Sequence, residues 1–190
     1  MSSVNPTYHH TPDRLRAELE WIERAKGDPR HFAPLYEKYH EQIFRYVYQR
    51  MDEPELADDV TSQVFFKAIK NIHRFEYRGV PFGSWLYRIA KSELNQAFRD
   101  RKAKRTINID MEHVAVFMEV FEQEENQINL KKLKTALVAL GEEDVQLIEM
   151  RFFEDRPYKE IAEIIGITEN NAKVKTFRAL EKLKKIFFKK

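Results

Sequence analysis

The sequence predicts an all-α protein made of two small helical domains joined by a linker. Its 190 residues include only 5 Gly and 7 Pro, so sharp turns are few. Apolar residues recur at helical spacing over most of the chain. The charges segregate into two basic segments separated by an acidic one, which favours two polyanion-binding surfaces on either side of a linker. On charge alone, ordinary solvated helix faces are an equal alternative.

The composition excludes several classes of protein. There is no cysteine, so disulfides and thiolate metal sites are ruled out. No apolar run approaches the roughly 18 residues of a transmembrane helix. The first ten residues, MSSVNPTYHH, lack the pattern of a signal peptide. These features predict a cytoplasmic protein.

The first half of the chain divides into four predicted helices. The first, Asp13–Lys26, ends at the stop-and-restart signal Gly27-Asp28-Pro29. The second spans about His31–Met51. The third begins at Pro54, a favourable first helical position, and runs to about Ile72. After the Gly- and Pro-containing loop "RFEYRGVPFGS", the fourth helix begins with Ser84 as its N-cap.

The second half begins with a weakly periodic, acidic stretch that indicates a linker. The second domain begins near Ile128 with an apolar pattern at Leu130, Leu133, Leu137 and Leu140. Further helices are predicted within "GEEDVQLIEMRFFE", "RPYKEIAEII" and "TENNAKVKTFRALEKLKKIFF". We therefore expect an N-terminal extension over 1–20, a first domain of four helices over 21–105, a linker over 106–127 and a second domain over 128–190.

The last helix shows two different sides on a helical wheel. The packing side carries Ala172, Thr176, Ala179, Leu180 and Leu183. The opposite side carries Asn170, Asn171, Val174, Phe177 and Arg178, with Lys173 and Lys175 on the flanks. Asn, Arg and apolar groups can read base edges in a major groove, and flanking lysines can contact phosphates. Thr168 or Asn171 could also be a simple helix cap, with Thr168 favoured. The three-residue turn carrying Gly166 suits a DNA-binding helix-turn-helix.

Two other segments suggest binding surfaces. The third helix leaves Phe66 among polar and acidic residues, which is typical of a protein-docking face, although Phe66 could equally pack on a neighbouring helix. The following segment interleaves rings and cations, as single-stranded nucleic-acid surfaces do: Phe75, Tyr77, Arg78, Phe82, Trp85, Tyr87 and Arg88. Some of these rings must belong to the core, and we expect Trp85 on the packing side of its helix.

Two blocks of sequence resemble a known family. "ADDVTSQVFFKAIKNIHRFEYRGVPFGSWLYRIA" followed by "RDRKAKR", and later "YKEIAEIIGITENNAKVKTFRALEKL", resemble the extracytoplasmic-function (ECF) class of bacterial sigma factors. The resemblance covers roughly 20–105, the family's region 2, and 128–187, its region 4. The chain departs from the common family pattern at Ser62-Gln63, at Ser92 and at Asn170-Asn171-Ala172.

The resemblance implies specific partners and contact residues. The third helix would dock on the β′ clamp helices of core RNA polymerase through Asp58, Asp59, Ser62, Gln63 and Phe66. An unpaired base of the −10 promoter element and the nearby backbone would meet Phe75, Tyr77, Arg78, Phe82, Trp85, Arg88, Ser92, Arg99 and Arg101. The −35 element would be read by Asn170, Asn171, Lys173, Val174, Lys175, Phe177 and Arg178. An anti-sigma partner is usual in this class, and the residues themselves do not identify one.

No catalytic arrangement emerges from the sequence. None of the six His forms an i, i+4 metal-type pair, and there is no Gly-rich phosphate loop or nucleophile motif. We expect no cofactor, no metal and no enzymatic activity. Two rival interpretations are a stand-alone helix-turn-helix regulator, which leaves the acidic helix without a purpose, and a helical adaptor, which leaves the groove-like face unexplained.

Overall fold

A computed structural model describes residues 12–51, 53–100, 106–107, 109, 115–117, 119, 121 and 130–189, with only the backbone described at 12–14. The chain divides into two compact units, Met1–Thr106 and Ile107–Lys190. Within the described ranges the regular structure is helical and contains no β-strand. The predicted all-α fold with two small helical domains is confirmed.

The first unit contains the four predicted helices. They are α1 (Pro12–Gly27), α2 (Ala33–Tyr48), α3 (Pro54–Asn71) and α4 (Phe82–Arg99). A 3₁₀ turn, Pro29–Phe32, precedes α2, so the second helix is shorter than predicted at both ends.

The break between α1 and α2 is stabilised by a local cap. Asp28 Oδ1 accepts a hydrogen bond from the backbone N–H of Arg30 at 2.9 Å. The Arg30 guanidinium also donates to this carboxylate and lowers the pKa of Asp28. The predicted stop-and-restart signal is therefore confirmed.

The start of α4 differs from the prediction. Ser84 is not an N-cap: the helix begins at Phe82, and Ser84 is buried within the first turn. Pro81 precedes the helix and provides no side-chain cap. The backbone N–H of Phe82 instead donates to Glu18 of α1, 64 residues away, which no local sequence pattern could show.

Aromatic rings fill the centre of the first unit. Phe32 lies 6.4 Å from Phe65 and 6.1 Å from Phe82, measured between ring centroids. Phe75 contacts Phe82 at 5.1 Å and Trp85 at 5.6 Å. These contacts join the 3₁₀ turn before α2, α3, the loop after α3 and the start of α4 into one core.

The second unit contains α5 (Leu130–Val138), α6 (Glu142–Ile148), α7 (Tyr158–Ile165) and α8 (Glu169–Phe188). A π-helical turn, Glu149–Phe153, follows α6. The fully buried Arg156 connects this turn to α7, because its Nε donates to Glu154 at 2.5 Å and its Nη1 to Glu160 at 3.3 Å.

Part of the predicted linker contributes to the core of the second unit. Ile107, Phe117 and Phe121 are buried and cluster with Leu133, Val145, Leu183 and other apolar residues. The ring centroid of Phe121 lies 5.7 Å from that of Phe187 on α8. The acidic bias of this segment concealed its few large apolar side chains, which anchor it to the second unit.

Candidate nucleic-acid and protein interfaces

Helices α7 and α8 form a hairpin around a three-residue turn, Gly166-Ile167-Thr168. Gly166 has φ 81°, a left-handed conformation that suits glycine because it has no Cβ. Its N–H and that of Ile167 both donate to Ala162 O, at 2.8 and 3.0 Å. Thr168 Oγ1 accepts from the N–H of Asn171 at 3.3 Å, so the predicted N-cap of α8 is confirmed.

The two predicted sides of α8 are present in the structure. The packing side is buried throughout: Ala172, Thr176, Ala179, Leu180 and Leu183. We call the opposite side the α8 contact face; it consists of the exposed Asn170, Asn171, Val174, Phe177 and Arg178. Phe177 is 64% exposed, which is unusual for a large apolar ring without a partner surface to cover it.

The two lysines beside the α8 contact face have different surroundings. Lys173 is exposed. Lys175 is half-buried, and its Nζ forms an ion pair with Glu143 in the first turn of α6. About two turns further along α8, Lys182 Nζ donates to Asp144 at 2.7 Å. These α6 acids lie 32 and 38 residues before their lysine partners, so no local sequence pattern indicates them.

The exposed side of α3 carries the five residues predicted to dock on a protein. We call Asp58, Asp59, Ser62, Gln63 and Phe66 the α3 docking face, and all five are exposed. Phe66 is 62% exposed, so the alternative in which it packs on a neighbouring helix is wrong. The adjacent Phe65 is buried and contacts Tyr36 and Phe32, because consecutive helical residues point about 100° apart.

A groove of about 360 Å³ borders the α3 docking face on the side of α4. Its polar lining consists of Asp59, Ser62, Gln63, Glu93, Gln96 and Asp100. Lys67 Nζ donates to Glu93 at 2.6 Å and links the two helices nearby. The groove gives the docking face an acidic edge suited to basic side chains of a partner.

The aromatic segment between α3 and α4 is divided between the core and the surface. Phe75 and Phe82 are buried, with exposed fractions of 6% and 1%, so the structure contradicts their predicted stacking on unpaired bases. Both rings belong to the aromatic cluster of the first unit. Tyr77 is 45% exposed, and Arg78 beside it is exposed too.

The remaining predicted −10 residues lie on α4 or beyond it. Trp85 and Arg88 are half-buried, whereas Ser92 and Arg99 are exposed. The Arg99 guanidinium donates to Gln96 at 2.6 Å. Arg101 lies outside the described residues. The exposed Tyr77 ring and Arg78 thus lie on the loop, and the cations Arg88 and Arg99 lie on α4.

Within the part of the chain that the structure describes, no group of three or more His, Asp or Glu side chains is placed to hold a metal ion. In the same residues, no helix is long and apolar enough to cross a membrane.

A known family model matches part of each of the two units. The family model described as sigma-70 region 2 matches residues 35–104. The model described as sigma-70 region 4 matches residues 130–183. These two segments contain the α3 docking face and the α8 contact face respectively.

Two curated relatives are ECF RNA polymerase sigma factors. The ECF RNA polymerase sigma factor BldN of Streptomyces coelicolor is 27% identical over 174 residues, which cover 88% of this chain and 65% of BldN. The ECF RNA polymerase sigma factor SigM of Bacillus subtilis is 24% identical, with 80% of this chain and 93% of SigM covered. The chain thus matches just under two thirds of the length of BldN and nearly all of SigM.

A solved structure has a similar fold. CnrH, determined in complex with the cytosolic domain of CnrY, matches with a TM-score of 0.61 and 18% identity, covering 90% of this chain and 96% of that one. The same family is indicated by the two matched regions in their order and by the named relatives, and the fold is consistent with it. The chain belongs to the extracytoplasmic-function class of RNA polymerase sigma factors, which are transcription initiation factors with DNA-binding domains.

Proposed function

We propose that this sigma factor binds core RNA polymerase through the α3 docking face and contacts promoter DNA at two separate surfaces. The α8 contact face reads the −35 element in the major groove. The exposed part of the aromatic segment, with Tyr77 and Arg78, holds unpaired DNA of the −10 element. The factor acts in the cytoplasm by binding, without catalysis of its own, while the polymerase performs nucleotidyl transfer.

One observation carries the −35 assignment. The α8 contact face combines exposed Val174 and Phe177 with two Asn and an Arg, directly opposite a fully buried stripe. Asn and Arg match the hydrogen-bonding edges of adenine and guanine, and apolar side chains match the thymine methyl group. A face that met only water would have little reason to expose these two apolar residues.

The docking assignment rests on Phe66 and its surroundings. A ring that is 62% exposed among carboxylate and amide side chains has the composition of an interface centre with a polar rim. The neighbouring groove adds further acids for basic partner residues. The β′ clamp helices of the polymerase are the partner that we propose.

Stacking of unpaired bases on exposed rings would favour local melting. Base–aromatic stacking contributes about 1–3 kcal/mol per base. With Phe75 and Phe82 in the core, Tyr77 is the exposed ring within the loop 75–81, and the half-buried Trp85 follows on α4. We therefore propose capture of one or two bases, assisted by Arg78 and Arg88 on the phosphate backbone.

The test is transcription from a promoter library by core RNA polymerase mixed with the full chain. The proposal predicts a stable complex with the core enzyme and a new set of start sites that share two sequence elements. If duplex DNA is shifted without polymerase and no start sites appear, the protein is a stand-alone regulator. If neither DNA nor polymerase binds, the docking and contact faces have been assigned wrongly.

A further inference from the structure

We infer that Glu18 of α1 is a positioning residue for promoter opening, because it fixes the backbone where the aromatic loop becomes α4. The inference rests on the proposed function and extends it. Glu18 lies outside the segment matched by the region 2 model, 35–104, and within the predicted N-terminal extension. The structure places it in a helix of the first unit, 2% exposed.

Three donors from two parts of the chain converge on the Glu18 carboxylate. Oε1 accepts from the Tyr39 hydroxyl and from Lys38 Nζ, the latter at 2.7 Å. Oε2 accepts from the backbone N–H of Phe82 at 2.8 Å. A buried carboxylate is strongly unfavourable without such partners. One side chain of α1 thus connects α2 to the first residue of α4.

The bond to Phe82 takes the role of a helix cap. The first N–H groups of a helix have no partner within the helix, and an acid beside them is stabilised by the helix dipole. Pro81, the residue before α4, supplies no capping side chain. Glu18 therefore satisfies an N–H group that the local sequence leaves without a partner.

Gly83 gives an independent indication that this junction is closely packed. A Cβ atom at Gly83 would lie 2.5 Å from Cε1 of Tyr39, closer than real Cβ contacts come. The Tyr39 ring therefore lies directly on the first turn of α4, while its hydroxyl bonds to Glu18. The ring also lies 6.2 Å from that of Phe82, measured between centroids.

This arrangement determines where the proposed −10 surface is held. Tyr77 and Arg78 lie on the loop that ends at Pro81, and the cation Arg88 follows on α4. Holding the Phe82 backbone against Glu18 sets the position of the loop's end relative to α1 and α2. A preorganised loop binds more tightly because less conformational freedom is lost on binding. The α3 docking face is on a different helix and makes no use of the Glu18 bonds.

The experiment uses the full chain with core RNA polymerase, on a promoter recovered from a randomised library by the wild-type holoenzyme. The variants are Glu18→Ala, Glu18→Gln, Tyr39→Phe and, as a matched control, Glu20→Ala, which removes an exposed acid from the same helix. Two quantities are compared: affinity for the core enzyme, and affinity of the holoenzyme for a single-stranded oligonucleotide carrying the non-template −10 segment.

We expect Glu18→Ala to weaken oligonucleotide binding at least tenfold and to change core affinity by less than twofold. Glu18→Gln keeps an acceptor for the Phe82 N–H, so its oligonucleotide affinity should lie between those of Glu18→Ala and the wild type. Tyr39→Phe should reduce oligonucleotide affinity less than Glu18→Ala does. The control should match the wild type. Hydrogen exchange across 75–84 should be faster in Glu18→Ala.

A parallel loss of core and oligonucleotide affinity would show that Glu18 only stabilises the fold, and would overturn the inference. Unchanged oligonucleotide binding in Glu18→Ala would overturn it too. If Glu18→Ala does not fold, Glu18→Gln and Tyr39→Phe decide: wild-type binding in both contradicts a positioning role. A wild-type chain that fails to bind the core enzyme would instead contradict the proposed function, before any variant is compared.

Discussion

Lys175 on α8 is ion-paired to Glu143 in the first turn of α6, at the flank of the α8 contact face. Lys175 can contact a DNA phosphate only after its ion pair with the Glu143 carboxylate is broken. The side chains of Lys175 and Glu143 are 34% and 55% exposed, so the pair is accessible to competing anions. Glu143 should therefore reduce the electrostatic part of DNA binding.

Replacing Glu143 with Gln should strengthen binding to duplex DNA and make it more sensitive to salt. The freed lysine adds about one phosphate contact, so the slope of log K against log salt should become more negative by roughly 0.9. Fluorescence anisotropy with a promoter duplex at several salt concentrations measures this slope. Glu20→Gln, with the same change in net charge in the other unit, is the control. Equal slopes in Glu143→Gln and the wild type would show that freeing Lys175 adds no phosphate contact.

Arg178→Ala should weaken initiation that depends on the −35 element and leave polymerase binding unchanged. Arg178 is exposed on the α8 contact face, and a bidentate contact from arginine to guanine contributes about 1–3 kcal/mol of discrimination. We expect a tenfold or greater loss of transcription from promoters with both elements. Lys134→Ala, which removes an exposed cation from α5, should have little effect. Loss of polymerase binding in Arg178→Ala would mean that the face contacts protein.

Substitutions of the neighbours Phe65 and Phe66 should affect different properties, polymerase docking for Phe66 and folding stability for Phe65. Phe66→Ala removes a largely exposed ring, so stability should stay within about 0.5 kcal/mol of the wild type. Polymerase affinity should fall tenfold or more if Phe66 is an interface anchor. Phe65→Ala removes a buried ring and should cost about 3–5 kcal/mol of stability. Thermal unfolding measures the stability of each variant, and a titration with core polymerase measures its affinity. Full polymerase affinity in Phe66→Ala would remove α3 from the interface.

A second aromatic pair tests the −10 surface. Tyr77→Ala should lower promoter opening without loss of stability, because the side chain is 45% exposed. Tyr77→Phe should keep most of the activity, since stacking depends on the ring. Phe75→Ala should lower the melting temperature instead, because Phe75 is buried in the aromatic cluster. Open-complex formation and thermal melting give the two measurements. Normal opening by Tyr77→Ala would exclude this ring from base capture.

The predictability of this fold from sequence depends on how local its signals are. The two sides of α8 follow from helical periodicity, and Thr168 and Gly166 mark the turn by their own conformational preferences. The exposure of Phe66 also follows from periodicity, once its neighbour Phe65 is placed in the core.

The features that escaped prediction depend on distant contacts. Ser84 has the chemistry of a cap, but the N–H at the start of α4 is satisfied by Glu18 from α1. Phe75 and Phe82 have the composition of a stacking surface, and only tertiary packing shows that they are core residues. The ion pair between Glu143 and Lys175 likewise depends on how α6 packs on α8.

The most direct test of the central claim is permanganate footprinting of unpaired thymines on a promoter recovered from the library. The protein is proposed to place a polymerase on duplex DNA through α8 and to hold melted DNA beside α4. Thymines around the −10 element should become reactive when the chain and core polymerase are both present, and should stay unreactive with either alone. Protection of the −35 element by the chain alone, without −10 reactivity when polymerase is added, would contradict the account.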